Sequence, residues 1–351
     1  MIPNPDDGRT EGQEQPEQAV LCSADNATRS TPNYWRALWS SKPDSKLKIG
    51  KAQNGGPQRA IYVYLAIIVI VWAGNWPMLK MVLADIGPFS FTAFRLFGAA
   101  VLIGAVLAAS GQRVLPSPEE RLPLAVCGFF QMGAMLGLSL FGLQFVNAGR
   151  AAVLAYTMQL WALPFGMIIL RERPPALKIV GALIGFVGLI LFFNPSLMDW
   201  SNGRVLFGNS MLLLAAAAWA LGATLYRRRT FTTSFFAQTG WQLFVGSLPL
   251  LLAAFLLENI HPIRWSRFLL LFLVFNWVIG IAFAYWCWTR VLNELSASTA
   301  GQVLMLVPIL AYFLSVIIFG EAMTWDALVS VALIMCGVAL TFRSVASERR
   351  V

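Results

Sequence analysis

One arginine stands where charge is expensive. Arg95 falls seven residues past Pro88 in an otherwise apolar run, about 10 Å along a helix at 1.5 Å per residue. A guanidinium at that depth must face a cavity or a partner. It could bind an anion or a carboxylate. The plainer role is a structural lock on carbonyls or on an interfacial phosphate reached by snorkelling. Asn75 is the second candidate, set between Gly74 and Pro77. Proline interrupts the helical hydrogen-bond ladder, and a nearby glycine lets a helix open. Freed carbonyls and an amide would make a ligand contact, with interhelical bonding as the alternative. Trp72 and Trp76 in the same run join Asn75 as candidate substrate contacts.

A polar and aromatic cluster follows in Tyr156, Gln159 and Trp161, where residues three or four apart share a helix face. Gln159 could read a polar substrate while Tyr156 stacks on it. Gln302 stands at the equivalent depth of a later run, and Tyr285 and Trp286 complete the candidate substrate contacts. Trp241, Gln242 and Asn276 widen the list. Glu172 and Glu321 each close an apolar run and read as gates or helix caps, with Pro77 and Pro308 as structural or gating prolines. No Asp or Glu falls in the middle of any run. A cation and proton antiporter would want one there, since a membrane carboxylate can hold either charge.

These side chains need elements to carry them. Of 351 residues, 58% are apolar and 12% charged, about half the charged fraction of a soluble domain. Residues 1–57 are polar and read as a disordered cytoplasmic tail. Ten apolar runs follow, near 60–82, 88–109, 123–145, 149–170, 176–194, 207–226, 235–257, 267–288, 297–319 and 325–342, with a short tail at 343–351. Each is about the length a helix needs to cross hydrocarbon. Placing the N-terminus inside puts seventeen basic residues on inner segments and five on outer ones, the bias of the positive-inside rule. The net charge of +9 is therefore topogenic, and no nucleic-acid partner is needed. Cys22, Cys127, Cys287 and Cys336 form no CxxC pair, and the single histidine is His261. No metal site or cofactor is expected.

The chain repeats itself. Segment 148–193 aligns on 297–342 without a gap at an offset of 149, placing Glu172 on Glu321 and Gly188 on Gly337. Earlier, at an offset of 147, Trp72 falls on Trp219 and Lys80 on Arg227. Each half, 58–194 and 207–342, holds five runs. An odd number inverts the second copy in the membrane, and inverted repeats place a binding site near the midplane. The fold expected is an all-α polytopic membrane protein of ten transmembrane helices in two inverted five-helix repeats. Gly133-x3-Gly137 and Gly181-x3-Gly185, with Gly188, read as close helix packing.

Residues 60–342 resemble the drug/metabolite transporter superfamily, in particular the EamA type of bacterial inner-membrane carrier. The resemblance rests on Trp72-Ala73-Gly74-Asn75-Trp76-Pro77, on Pro88 followed by Arg95, and on Ala297-Ser298-Thr299-Ala300, Pro308 and Gly320-Glu321. Two departures stand out. Gln159 occupies the place that Pro308 holds in the second half, and Arg171 precedes Glu172 where Gly320 precedes Glu321. The resemblance implies a multi-pass protein of the bacterial inner membrane with both termini cytoplasmic. It would be a monomer or homodimer, exporting a small polar metabolite such as an amino acid, with proton or counter-solute coupling left open. Nucleotide-sugar and drug carriers are alternatives within the superfamily. A channel or a membrane-embedded enzyme is disfavoured, the latter because it needs a catalytic constellation near the interface.

Overall fold

The computed structural model describes residues 58–193, 203–258, 263–294, 303–320 and 324–348. Gln302 and Glu321, like both tail ends, lie outside the described residues. All regular structure among the described residues is helical. Helix α1 is Gln58–Val82 and α2 is Pro88–Ala109. Helix α3 joins Pro118–Gly128, Phe129–Ala134 and Met135–Leu143. Helix α4 joins Ala148–Tyr156 and Met158–Ile169, and α5 is Ala176–Phe193. The second half opens with α6, Gly203–Arg227, and α7, Phe235–Leu257. Helix α8 joins Arg267–Phe275, Asn276–Phe283 and Ala284–Glu294. Helices α9, Leu306–Phe319, and α10, Trp325–Glu348, follow.

Seven helices among the described residues are long and apolar enough to cross a membrane, and three apolar stretches, Ile179–Leu191, Leu306–Phe319 and Trp325–Gly337, are shorter. Their outer faces are apolar too. Ile168, Leu271 and Ile317 are each at least 70% exposed, an arrangement suited to lipid rather than water.

The helix ends show why the chain turns where it does. Pro88 and Pro118 each sit in the first turn of their helices, where proline's missing N–H costs nothing. Helix α3 starts five residues before the apolar run expected at 123, because Glu119 and Glu120 occupy its first turn. Acidic residues suit a helix N-terminus but hide it from hydropathy. The hydroxyls of Ser234 and Ser266 accept the backbone N–H of Ala237 and Leu269 at the starts of α7 and α8. Helices α4 and α9 end alike. Arg171 has φ +55° and Gly320 has φ +64°, so the left-handed position that glycine fills freely in one half is held by arginine in the other.

Packing respects the repeat. Helix α1 packs on α8 and α9, as α6 packs on α3 and α4. Helix α2 contacts α8, as α7 contacts α3. The pairs α2–α7, α5–α10 and α4–α9 join each helix to its own counterpart. Exchanging the halves leaves this set of pairings unchanged. Helices α5 and α10 meet backbone to backbone: a methyl group on Gly337 would overlap Gly181 and Gly185.

Carboxylates fasten both ends of α7, to α2 at one end and to α3 at the other. Glu258, just past α7, accepts the backbone N–H of Phe89 at 2.7 Å and of Ser90 at 2.8 Å, and the Ser90 hydroxyl at 2.6 Å. Glu120 accepts the backbone N–H and the hydroxyl of both Thr232 and Thr233, just ahead of α7. Elsewhere Lys80 Nζ donates to the carbonyls of Leu143 at 2.6 Å and Val146 at 2.8 Å, a cation at the C-terminal end of α3.

Candidate functional site

Three departures from regular helix shape the middle of the molecule. Helix α3 contains a π-helical segment at Phe129–Ala134, and α8 contains one at Asn276–Phe283. Helix α4 breaks at Thr157, whose hydroxyl donates to the Leu154 carbonyl at 2.6 Å. π segments are rare and often accompany functional sites. All three departures border one cavity of about 390 Å³, bounded by residues from both halves.

Helix α1 contributes Trp72, Asn75 and Trp76 to its wall. The Trp72 indole N–H donates to the Gly280 carbonyl of the second π segment at 3.2 Å, and its ring lies 5.9 Å from that of Tyr285. Asn75 Oδ1 is buried without a hydrogen-bond partner. Pro77, two residues on, supplies no N–H to the Ala73 carbonyl.

Helix α2 contributes Arg95, only 4% exposed. Its guanidinium carbon lies 5.8 Å from the centre of the Phe91 ring, and Nε has no hydrogen-bond partner. Arg95 is the one charged side chain on the described wall; no Asp or Glu borders the cavity among the described residues. Those residues also hold no His, Cys, Asp and Glu cluster that could bind a metal.

The π segments add Gln131, Met132, Asn276 and Ile281. Asn276 Nδ2 donates to the Phe272 carbonyl at 2.9 Å while Oδ1 is unpartnered. The Tyr285 hydroxyl approaches Met132 Sδ at 3.6 Å, linking α8 to α3. Tyr156 and Gln159 flank the break in α4, and Ser139 presents a buried hydroxyl without a partner. Trp219, Tyr226, Thr239 and Gln242 close the wall, with the Tyr226 hydroxyl held by Gln238 Oε1 at 2.6 Å.

Of the candidates read from sequence, Trp72, Asn75, Trp76, Arg95, Tyr156, Gln159 and Tyr285 thus meet around one space. Trp161 does not. It turns away to place its ring edge-on against Phe186, 5.9 Å between centroids. Trp286 does not either. It packs on Tyr64 and Phe283, with the Arg290 guanidinium 5.0 Å over its ring. Glu172 is ion-paired with Arg227 away from the cavity, and Pro308 is buried in the first turn of α9. Sequence reasoning passed over Gln131, Ser139, Trp219, Tyr226 and Thr239. Their polarity within apolar runs is the signal that could have found them.

Comparison with known proteins agrees with this architecture. The chain is 27% identical over 280 residues to the uncharacterized transporter YoaV of Bacillus subtilis, covering 79% of this chain and 96% of that one. It is 25% identical to the uncharacterized transporter YvbV of the same organism, covering 81% and 92%. A chloroplastic WAT1-related protein of Arabidopsis thaliana is 28% identical, over 51% of this chain and 44% of its own. A solved crystal structure shares the fold, with a TM-score of 0.59 at 17% identity over 84% of this chain and 99% of that one. The EamA-like transporter family matches twice, at residues 59–194 and 206–343. Two such matches, on two halves that pack as counterparts around a shared cavity, make this multi-pass membrane chain a member of the EamA-like transporter family.

Proposed function

We propose that the protein is a secondary carrier exporting a small polar metabolite, such as an amino acid or related compound, by alternating access. The observation that carries this reading is the cavity of about 390 Å³ between the halves, with polar side chains set into an aromatic wall. That volume lies within the usual range for small-molecule sites. In this reading the chain crosses the bacterial inner membrane ten times with both termini cytoplasmic. The units 58–194 and 207–342 form inverted halves that rock about the site. The packing pairs that exchange between halves support it, as does the symmetric placing of the π segments, where helices can bend. Trp72, Asn75, Trp76, Arg95, Tyr156, Gln159 and Tyr285 form the substrate site. Glu172 with Arg227 is a closing contact on the cytoplasmic side. An organic cation would find no carboxylate on the described wall.

The test is flux. The purified protein, reconstituted in liposomes, is expected to move at least one solute of an amino-acid and organic-acid panel. No flux across the panel sinks the proposal.

A further inference from the structure

We infer that Arg95 is the anchor for a substrate carboxylate, and that its unpaired charge makes the transport cycle an exchange of one carboxylate for another. This rests on the carrier reading above. Arg95 lacks the partners that hold a structural arginine in place. It is buried, borders the cavity, and has neither a carboxylate partner nor a hydrogen bond at Nε. Its close neighbour is the face of Phe91, which offers far less than an anion would. A structural arginine would be saturated by carbonyls or acids, as Lys80 is at the end of α3. Arg95 is instead a cation presented to a space.

The rest of the wall fits what a carboxylate would bring with it. Asn75 Oδ1 and Asn276 Oδ1 are buried acceptors without donors, suited to an N–H of the same molecule. The Trp72 and Tyr285 rings offer flat apolar surface to its body.

The exchange follows from desolvation. In an open state, water fills the cavity and solvates Arg95. Alternating access requires passing through a closed state that expels much of that water. A bare guanidinium resists this step, since an uncompensated buried charge is costly. A carboxylate bound to it neutralises the pair and removes most of the resistance. The loaded cavity therefore turns over readily and the empty one slowly, so the carrier returns only when a second carboxylate occupies the site.

The experiment has two arms. In the first, thermal unfolding of the purified protein is followed with 3-phenylpropanoate, phenylalanine and 3-phenylpropylamine, which share a body and differ in charge. A carboxylate is expected to raise the midpoint by several degrees more than the amine, and Arg95→Gln to abolish the difference. An amine that stabilises as well as either carboxylate overturns the anchor, as does a panel without any shift. In the second arm, uptake of the more stabilising carboxylate is measured into proteoliposomes preloaded with the same compound or left empty. Preloading is expected to speed uptake at least tenfold in the wild type and less than twofold in Arg95→Gln, whose described wall carries no charge. Arg95→Lys should keep the dependence on preloading. Equal uptake into preloaded and empty wild-type vesicles overturns the exchange without needing any variant. Stabilisation by a carboxylate with no flux in either vesicle leaves the anchor standing and instead defeats the carrier reading.

Discussion

Replacing Glu258 with alanine removes three hydrogen bonds at once, and the loss can be worked from the geometry. The carboxylate takes the N–H of Phe89 and of Ser90 and the hydroxyl of Ser90, all between 2.6 and 2.8 Å. These are N–H groups of the first turn of α2 with no partner inside the helix. Losing a capping acceptor costs about 1 kcal/mol for each N–H it satisfied, and the missing negative charge at a helix N-terminus adds roughly 0.5 kcal/mol. Glu258 is only half-buried, so water recovers part of the loss. A net destabilisation of about 2 kcal/mol corresponds to a drop of roughly 3 °C in the unfolding midpoint for a chain of 351 residues. Intrinsic tryptophan fluorescence during heating of the purified protein reads the effect. Glu258→Gln retains one acceptor oxygen and should lose about half as much. Ser90→Ala, which leaves both N–H bonds, should fall less than the alanine variant of Glu258. A Glu258→Ala midpoint within about 1 °C of wild type would show that the cap does not hold α2 to α7.

Three further outcomes are expected. Arg171→Gly should stabilise the protein by about 0.5–1 kcal/mol, seen as a higher midpoint, because φ +55° is free to glycine and strained for arginine. Gly337→Leu should yield aggregated material on size-exclusion chromatography, since its side chain would enter the backbone of Gly181 and Gly185. Trp72→Ala should lower flux about tenfold or more, whereas Trp286→Phe, on the outer surface, should leave flux within twofold of wild type.

What could be read in advance follows from what leaves a mark in one dimension. Apolar runs and basic clusters are long-range patterns, so the helical segments and the two halves were legible. The left-handed end of α4 was visible as the oddity of Arg171 standing opposite Gly320, though its backbone angle was not. The π segments were not legible, because an extra residue in a helix turn changes no composition. The break at Thr157 was missed for a similar reason: a threonine hydroxyl bonded to the preceding turn looks like any threonine in an apolar run. Trp161 and Trp286 show a second limit. Depth along a helix can be counted from its ends, but a membrane helix is apolar on every side, so no hydrophobic stripe tells which way a given residue points. Arg95, Asn75 and Gln159 were easier, since polarity in hydrocarbon must face inward.

The two π segments also carry a date. They end at Ala134 and Phe283, an interval of 149 residues, the same that separates Glu172 from Glu321. An irregular turn recurring in register is most simply an heirloom: the inserted residue was already present in a single five-helix ancestor, before that ancestor's gene was doubled and fused. Two copies of that ancestor, packed as counterparts, would already have brought two bent helices together around a common space. The cavity is then older than the chain that now encloses it, and the differences between its two sides, Arg95 above all, mark where the copies have since diverged.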